Sequence, residues 1–224
     1  MAPDRPVVAM LLYPGLTNLD LVGPHAVWSW AMDVHLVWKD LDPVETDSGM
    51  KILPTTTLAN CPADVDVLFV PGGAGTSDAI ADPEVLDFLA DRGSRARYVT
   101  SVCTGSLILA AAGLLRGYRA GTHWAFREHL APMGAECVAE RVVVDRNRVT
   151  GGGVTAGIDF GLTVLAELAG DDRARFAQLV LEYDPAPPFD AGAPEKADPA
   201  TVEAVRSILT EDHATLRRII SGLA

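Results

Sequence analysis

Cys103 is the cysteine whose surroundings suggest chemistry. Cys61, Cys103 and Cys137 form no CxxC motif and no Cys/His spacing typical of zinc, so neither a disulfide framework nor a metal site is predicted. Residues 101–105 (SVCTG) join a strand-like run to a small-residue helix-like run. This is the layout of a nucleophile elbow, in which a tight turn lifts the side chain above the sheet. Helix amides aimed at the thiol would lower its pKa and favour the thiolate; the alternative is an ordinary buried cysteine.

A glycine loop follows the strand-like run 65–70. Residues 71–75 read PGGAG, a sequence that exposes backbone N–H groups. The amides of Gly73 and Thr104 are therefore candidate donors to the anion that develops on a substrate at Cys103, and Gly72 is a candidate pocket residue. The alternative is a loop that only reverses the chain.

Asp20 and His123 are the candidate proton carriers. Asp20 lies in the run LDLV at residues 19–22, where it is either a helix N-cap or a carboxylate placed in a pocket. In a pocket beside Cys103 it would supply the acid/base function that a nucleophilic site needs, with a pKa raised by its apolar neighbours. His123, in the run THW at residues 122–124, is either a second candidate base and pocket residue or a structural side chain.

The composition restricts the class of partner. The chain has 224 residues and a formal net charge of −12, which disfavours nucleic acid and anionic membrane surfaces. The longest uncharged apolar stretch, residues 107–115, is far shorter than the roughly 20 residues of a membrane span. Residues 1–13 lack the features of a signal peptide, and we therefore expect a cytoplasmic protein acting on a small molecule.

The elements that would position these residues alternate between strand and helix. The continuous apolar run at residues 5–13 predicts a strand buried on both faces, 65–70 predicts another buried strand, and 97–102 predicts a third strand. Further strand-like runs lie at 33–39, 44–53, 136–144 and 148–150, and helix-like runs at 18–30, 83–92, 104–112, 155–169 and 171–181. Gly23 and Pro24 predict a broken or late-starting first helix. The pattern predicts an α/β fold with a mostly parallel sheet, whose site lies beyond the carboxyl ends of the strands.

The end of the chain has a different character. Residues 184–199 contain five prolines and predict an extended segment on the surface or along a partner subunit. One amphipathic helix is predicted at about residues 201–220. No internal repeat is present, and the whole chain, 1–224, is expected to form a single domain.

Several of these motifs together resemble a known family. The runs SVCTGS at 101–106, AAGLLRG at 111–117, THW at 122–124 and DLVGP at 20–24 resemble the ThiJ/PfpI branch of the class I glutamine-amidotransferase-like superfamily. The resemblance covers about residues 6–190. Within that branch the chain is most similar to enzymes that add water to isonitriles to give N-substituted formamides. That similarity rests on LVWK at 36–39, LPTTT at 53–57, GGGVTAGIDF at 151–160 and LEYDPAPPFDAG at 181–192.

The resemblance implies a flavodoxin-like sheet with helices on both faces, a homodimer and no cofactor. It assigns Cys103 as the nucleophile, Asp20 as the catalytic acid and Thr104 as the residue that positions substrate or water. Many relatives with protease or deglycase labels have Glu at the place of Asp20 and His at that of Thr104. This chain has neither, which argues against those activities.

Two other functions compete with isonitrile hydration. A glyoxalase- or deglycase-like hydrolase would use the same thiol on a carbonyl compound. The second competing function is ligand sensing, because similar domains form the N-terminal half of AraC-type transcription regulators. Such regulators need a C-terminal helix-turn-helix pair, and with one predicted helix after the proline-rich segment this pair is not expected.

Overall fold

A seven-stranded sheet forms the centre of the protein, whose structure, a computed structural model, describes residues 5–223. Residues 1–4, used above in the argument against a signal peptide, lie outside this range. The strands are β1 Val7–Leu11, β2 Asp33–Trp38, β3 Val44–Glu45, β4 Lys51–Ile52, β5 Thr56–Thr57, β6 Val67–Val70, β7 Tyr98–Val102, β8 Arg119–Ala120, β9 Glu136–Cys137, β10 Val142–Asp145 and β11 Arg148–Gly151. The sheet order is β10-β11-β7-β6-β1-β2-β5, and only the edge strand β10 runs antiparallel to its neighbour.

The helices form two groups against this sheet. They are α1 Asn18–Trp28, α2 Thr76–Ala81, α3 Pro83–Arg95, α4 Gly105–Ala111, α5 Ala156–Ala169, α6 Asp171–Val180, α7 Pro199–Ile208 and α8 Thr210–Leu223. Helices α1, α5 and α6 pack together, as do α2, α3, α4 and α8. The predicted α/β class with a mostly parallel, flavodoxin-like sheet is confirmed. None of the helices within residues 5–223 is long and apolar enough to cross a membrane.

The first helix is continuous, and the predicted break at Gly23 and Pro24 is wrong. Pro24 lies inside helix α1. Because proline has no backbone N–H, the helix lacks one hydrogen bond at this position. Tertiary contacts compensate for this loss. Pro24 packs against Gly157 of α5, and the indole of Trp28 donates to the Gly161 carbonyl at 2.8 Å.

The strand-like run 136–144 is divided between two sheets. Residues 136 and 137 form β9, which pairs in parallel with β8, whereas β10 forms the predicted hairpin with β11. The hairpin predicted within 44–53 is present as β3 and β4.

The C-terminal region contains two helices where one was predicted. Residues 184–198 contain no helix or strand, and α7 and α8 meet at Leu209. The Thr210 hydroxyl donates to the Ser207 carbonyl at 2.9 Å and stabilises the break. The break redirects α8, so that Leu216 and Ile220 are buried and α8 packs against α2. The prediction of a single helix after the proline-rich segment, which argued against a regulator function, is therefore wrong.

Candidate active site

Cys103 occupies a strained turn between β7 and α4. Its φ is 55°, in the left-handed region that non-glycine residues rarely adopt. Three hydrogen bonds hold the turn: the Cys103 N–H donates to the Gly151 carbonyl at 3.2 Å, and its carbonyl accepts from Ser106 Oγ at 3.1 Å and Thr122 Oγ1 at 2.9 Å. The turn thus has the backbone conformation expected of a nucleophile elbow.

Two glycines allow the chain to pass close to this turn. A Cβ atom on Gly72 would lie 2.5 Å from the Thr104 nitrogen and 2.9 Å from the Cys103 Cβ. A Cβ atom on Gly105 would lie 2.2 Å from the Val70 carbonyl oxygen. Because real Cβ atoms do not approach other atoms so closely, these positions require glycine. The loop after β6 is therefore built to contact the elbow, which a simple chain reversal would not need.

Asp20 is a buried carboxyl group directed at the same turn. It is the third residue of α1 and is fully buried, and its side chain does not cap that helix. Oδ2 accepts the Gly72 N–H at 2.8 Å, Oδ1 has no hydrogen-bond partner within residues 5–223, and the carboxyl interacts with the Cys103 thiol. Asp20 is therefore not the N-cap of α1, and its carboxyl lies beside the elbow.

Burial raises the pKa of Asp20 to about 7. Loss of hydration disfavours the charged form, and the Gly72 N–H only partly offsets this effect. The structure agrees with the predicted direction of this shift. Of the apolar neighbours in the run 19–22, Leu21 is buried, whereas Leu19 and Val22 are 38% and 41% exposed; the loop at Gly72 also packs against the carboxyl.

The pKa of the Cys103 thiol is raised well above its usual value, which is the opposite of the sequence-based prediction. Burial is the main cause, and the negative charge of Asp20 adds to it. The Thr104 backbone N–H favours the thiolate, but its effect is smaller. As pH rises, the Asp20 carboxyl therefore loses its proton before the thiol does, and the negative charge of the carboxylate holds the second proton on the sulfur.

Thr104 connects the elbow to the glycine loop through its side chain. Gly73 N–H donates to Thr104 Oγ1 at 3.0 Å, and Thr104 Oγ1 lies 2.7 Å from Thr76 Oγ1. Thr76 gives its only hydroxyl proton to the Gly73 carbonyl at 2.7 Å, so the Thr104 hydroxyl donates to Thr76. The Gly73 amide was predicted to point at Cys103, whereas here it binds Thr104. Of the two candidate anion donors, only the Thr104 backbone N–H is directed at the sulfur.

A cavity of about 270 Å³ opens above Cys103. The predicted residues Cys103, Thr104, Gly73 and His123 line it, while Asp20 and Gly72 lie behind Cys103. The remaining lining includes residues of the glycine loop, the 3₁₀ helix Trp124–His129 and α8. Its volume is close to the lower end of the range for small-molecule sites.

His123 lines the cavity but is poorly placed to act as a base. Its Nδ1 accepts the Ala125 N–H at 3.4 Å at the start of the 3₁₀ helix. Burial lowers the pKa of His123, so the imidazole is neutral and its proton is on Nε2. We assign it to the cavity wall.

The contribution of α8 to the cavity was missed by the sequence analysis. Leu209, Asp212 and Leu216 line the cavity beside Phe126 of the 3₁₀ helix. The only sequence signal was the amphipathic pattern of the last helix, which does not indicate what its apolar face covers.

Comparison with known proteins decides the family. Residues 7–167 match the DJ-1/PfpI family along most of the chain. The chain belongs to the DJ-1/PfpI family. A crystal structure of a ThiJ/PfpI family protein from Pseudomonas syringae superposes with a TM-score of 0.94 at 50% identity, covering 96% of this chain and 90% of that one.

Two curated relatives bear on function within the DJ-1/PfpI family. An isonitrile hydratase from Pseudomonas putida is 53% identical over 201 residues, covering 89% of this chain and 88% of that protein. The HTH-type transcriptional regulator GbdR from Pseudomonas aeruginosa is 36% identical over 155 residues, covering 67% of this chain but only 41% of the regulator. The similarity to the regulator thus leaves more than half of that protein unmatched.

Proposed function

We propose that the protein hydrates isonitriles to N-substituted formamides, with Cys103 as the nucleophile. Two observations support this activity. The chain matches an isonitrile hydratase along nearly the full length of both proteins. The coupled pair of Cys103 and Asp20 beneath a small cavity is suited to a reaction that adds a sulfur atom and a proton to one carbon.

The first step forms a thioimidate. The terminal carbon of the isonitrile enters the cavity, and the Cys103 sulfur forms a bond to it while Asp20 removes the thiol proton and delivers it to the same carbon. The product, R–N=CH–S–Cys103, contains every atom of the thiol and the isonitrile. Because Asp20 lies beside the thiol and each group shifts the pKa of the other, this transfer needs no charge to leave the buried pair.

The second step is hydration of the thioimidate. Water adds to the carbon and gives one proton to Asp20, which passes it to the nitrogen to form R–NH–CH(OH)–S–Cys103. Cleavage of the C–S bond then releases R–NH–CHO, and the hydroxyl proton passes to the Cys103 sulfur. The Thr104 N–H, directed at the sulfur, stabilises the negative charge that develops there as the C–S bond breaks.

The decisive experiment compares two cysteines that differ in position. Formamide production from a simple aryl isonitrile is measured for Cys103→Ala and, as the matched control, for the half-buried Cys137→Ala. We expect turnover to be lost in the first variant and retained in the second. Undiminished turnover by Cys103→Ala would refute the mechanism.

The competing hydrolase function is tested with a second substrate. Wild-type protein is supplied with an isonitrile and with methylglyoxal in parallel, and we expect turnover of the isonitrile alone, since Asp20 and Thr104 replace the Glu and His of many deglycase-type relatives. Preferential turnover of methylglyoxal would instead identify a glyoxalase- or deglycase-like enzyme.

We also propose that the enzyme is a homodimer that uses no cofactor, as the family resemblance implies, and that it acts in the cytoplasm, as the sequence predicts. Leu19 and Val22 support the dimer, because they expose apolar surface on α1 to solvent. Light scattering after size exclusion measures the mass directly, and a monomer at micromolar concentration would contradict the dimer.

A further inference from the structure

A cluster of three metal-ligating side chains lies outside the cavity. Glu128 and His129, in the 3₁₀ helix Trp124–His129, face His213 of α8. The His129 Nε2 atom lies 2.8 Å from His213 Nδ1, and Glu128 Oε1 lies 3.7 Å and 3.5 Å from these two nitrogens. The His129 side chain is almost completely buried, and none of the three takes part in the proposed reaction.

The triangle formed by these three atoms has the size of one face of a tetrahedral metal site. In a tetrahedral zinc complex with bonds of about 2.0–2.1 Å, neighbouring ligand atoms are separated by about 3.3 Å. The three edges here are 2.8, 3.5 and 3.7 Å, so small side-chain adjustments would make them equal. We propose that Glu128, His129 and His213 bind one divalent transition-metal ion of the zinc class, with the fourth position open to solvent.

The chemistry of the side chains suits such an ion. Each of the three offers one ligand atom, and these atoms all lie within 4.8 Å of one another. Without metal, one of the two imidazoles donates its ring N–H to the other. When a metal ion binds, the donating imidazole must move this proton to its other ring nitrogen, which frees the first nitrogen to bind the ion. Two imidazoles and one carboxylate favour zinc and similar ions over magnesium or calcium.

Arg217 is the main competitor for the carboxylate. Its guanidinium donates to Glu128 Oε1 at 3.1 Å, the oxygen nearest both imidazoles. The Arg217 side chain is 65% exposed and free to turn toward Glu128 Oε2 or solvent. An adjoining cavity of about 500 Å³ reaches His213 and Glu128, and it provides both entry for the ion and room for a water ligand.

The ion would join two elements that line the active-site cavity. The 3₁₀ helix supplies Phe126 to that cavity and α8 supplies Leu216, and the only direct polar links between them in the described residues run through Glu128 and the two histidines. Metal binding would therefore hold α8 in place over the cavity. We therefore expect the midpoint of thermal unfolding, Tm, to rise with zinc concentration.

The test is made in the Cys103→Ser background, so that the active-site thiol cannot take the metal. After dialysis against chelator, zinc is titrated calorimetrically, and cobalt(II) is added separately to record its visible absorption. We expect one equivalent of zinc per chain, the strong visible bands of four-coordinate cobalt, and a rise in Tm with zinc.

Substitutions in the cluster then locate the ion. His213→Ala is expected to weaken zinc binding by at least about 100-fold and to remove the cobalt bands, and Glu128→Gln to weaken binding in the same direction. His35→Ala, a histidine on β2 far along the sheet, is the matched control and should leave binding unchanged. Because His129 is buried, its own substitution risks unfolding, and the conclusion rests on the two more accessible ligands.

Three outcomes would overturn the proposal. The first is no zinc binding by the folded Cys103→Ser protein up to millimolar zinc. The second is a cobalt spectrum that survives His213→Ala. The third is an equal loss of affinity in the His35→Ala control, which would place the metal elsewhere.

Discussion

Replacing Asp20 by asparagine is expected to stabilise the fold while abolishing isonitrile hydration. The folded protein raises the pKa of Asp20 from 3.8 to about 7, a shift of about three units. Each unit corresponds to about 1.4 kcal/mol, so the ionised carboxylate costs the native state about 4 kcal/mol above pH 7. Asparagine has nearly the same shape and keeps an oxygen to accept the Gly72 N–H, but it has no charge to bury.

The pH dependence of this gain follows from the direction of the shift. Between about pH 4 and pH 7 the folded protein binds a proton at Asp20 that the unfolded chain has already lost, so the wild-type free energy of unfolding falls as pH rises. Asp20→Asn lacks this effect. The free energy of unfolding of Asp20→Asn should therefore exceed that of wild type by about 2 kcal/mol at pH 5 and about 4 kcal/mol at pH 8.

Urea unfolding followed by tryptophan fluorescence at pH 5 and pH 8 measures both values. The control is Asp66→Asn, which replaces another carboxylate that accepts a backbone N–H, from Val7 at 2.8 Å, but is less deeply buried. A variant no more stable than wild type at pH 8, or an advantage equal at both pH values, would refute the assignment of Asp20 as a buried carboxyl with a raised pKa.

Three further predictions follow from the site. The value of kcat/KM should rise as pH increases through about 7, because Asp20 must be ionised to accept the thiol proton; a flat steady-state profile from pH 6 to pH 8.5 would contradict this role. Gly72→Ala should abolish formamide production, since the new Cβ would lie 2.5 Å from the Thr104 nitrogen, whereas Gly192→Ala, with no atom within 4 Å of its Cβ, should remain active. Leu216→Ala should lower the free energy of unfolding by about 2–5 kcal/mol and raise KM more than it lowers kcat, because it empties buried volume at the cavity wall; unchanged stability and KM would mean that α8 does not cover the site.

The fold was predictable because its central strands are buried on both faces. The strands β1 (VVAML) and β6 (VLFV) are apolar throughout, and this pattern identifies a parallel sheet without knowledge of tertiary contacts. The errors arose where tertiary contacts override local preference. Pro24 is tolerated inside α1 because packing against α5 compensates for the lost hydrogen bond, and no local rule includes that packing.

The backbone geometry around Cys103 was predictable from the sequence, but the electrostatics of the site were not. The elbow around Cys103 and the glycine loop are local patterns with a steric cause, so their sequences indicate their geometry. The pKa of Cys103 depends on how much water reaches the sulfur and on the distance to a carboxyl 83 positions away in the sequence. Likewise, Glu128 and His213 approach each other only because α8 folds back, so no spacing rule for metal ligands could have found that cluster.

The two raised pKa values explain how a buried thiol can still be a nucleophile. A thiolate stabilised only by helix amides would be charged at rest, but α4 has seven residues and its amides do not outweigh the burial of the sulfur. With Asp20 beside the thiol, the proton moves from sulfur to oxygen at the moment of attack, and the total charge of the buried pair stays constant. Burial raises the pKa of both groups, so neither sulfur nor carboxyl ionises easily, and a transfer that leaves one negative charge in the pair avoids the burial of a second. Loss of the carboxyl should therefore abolish the reactivity of the thiol even where the elbow remains intact.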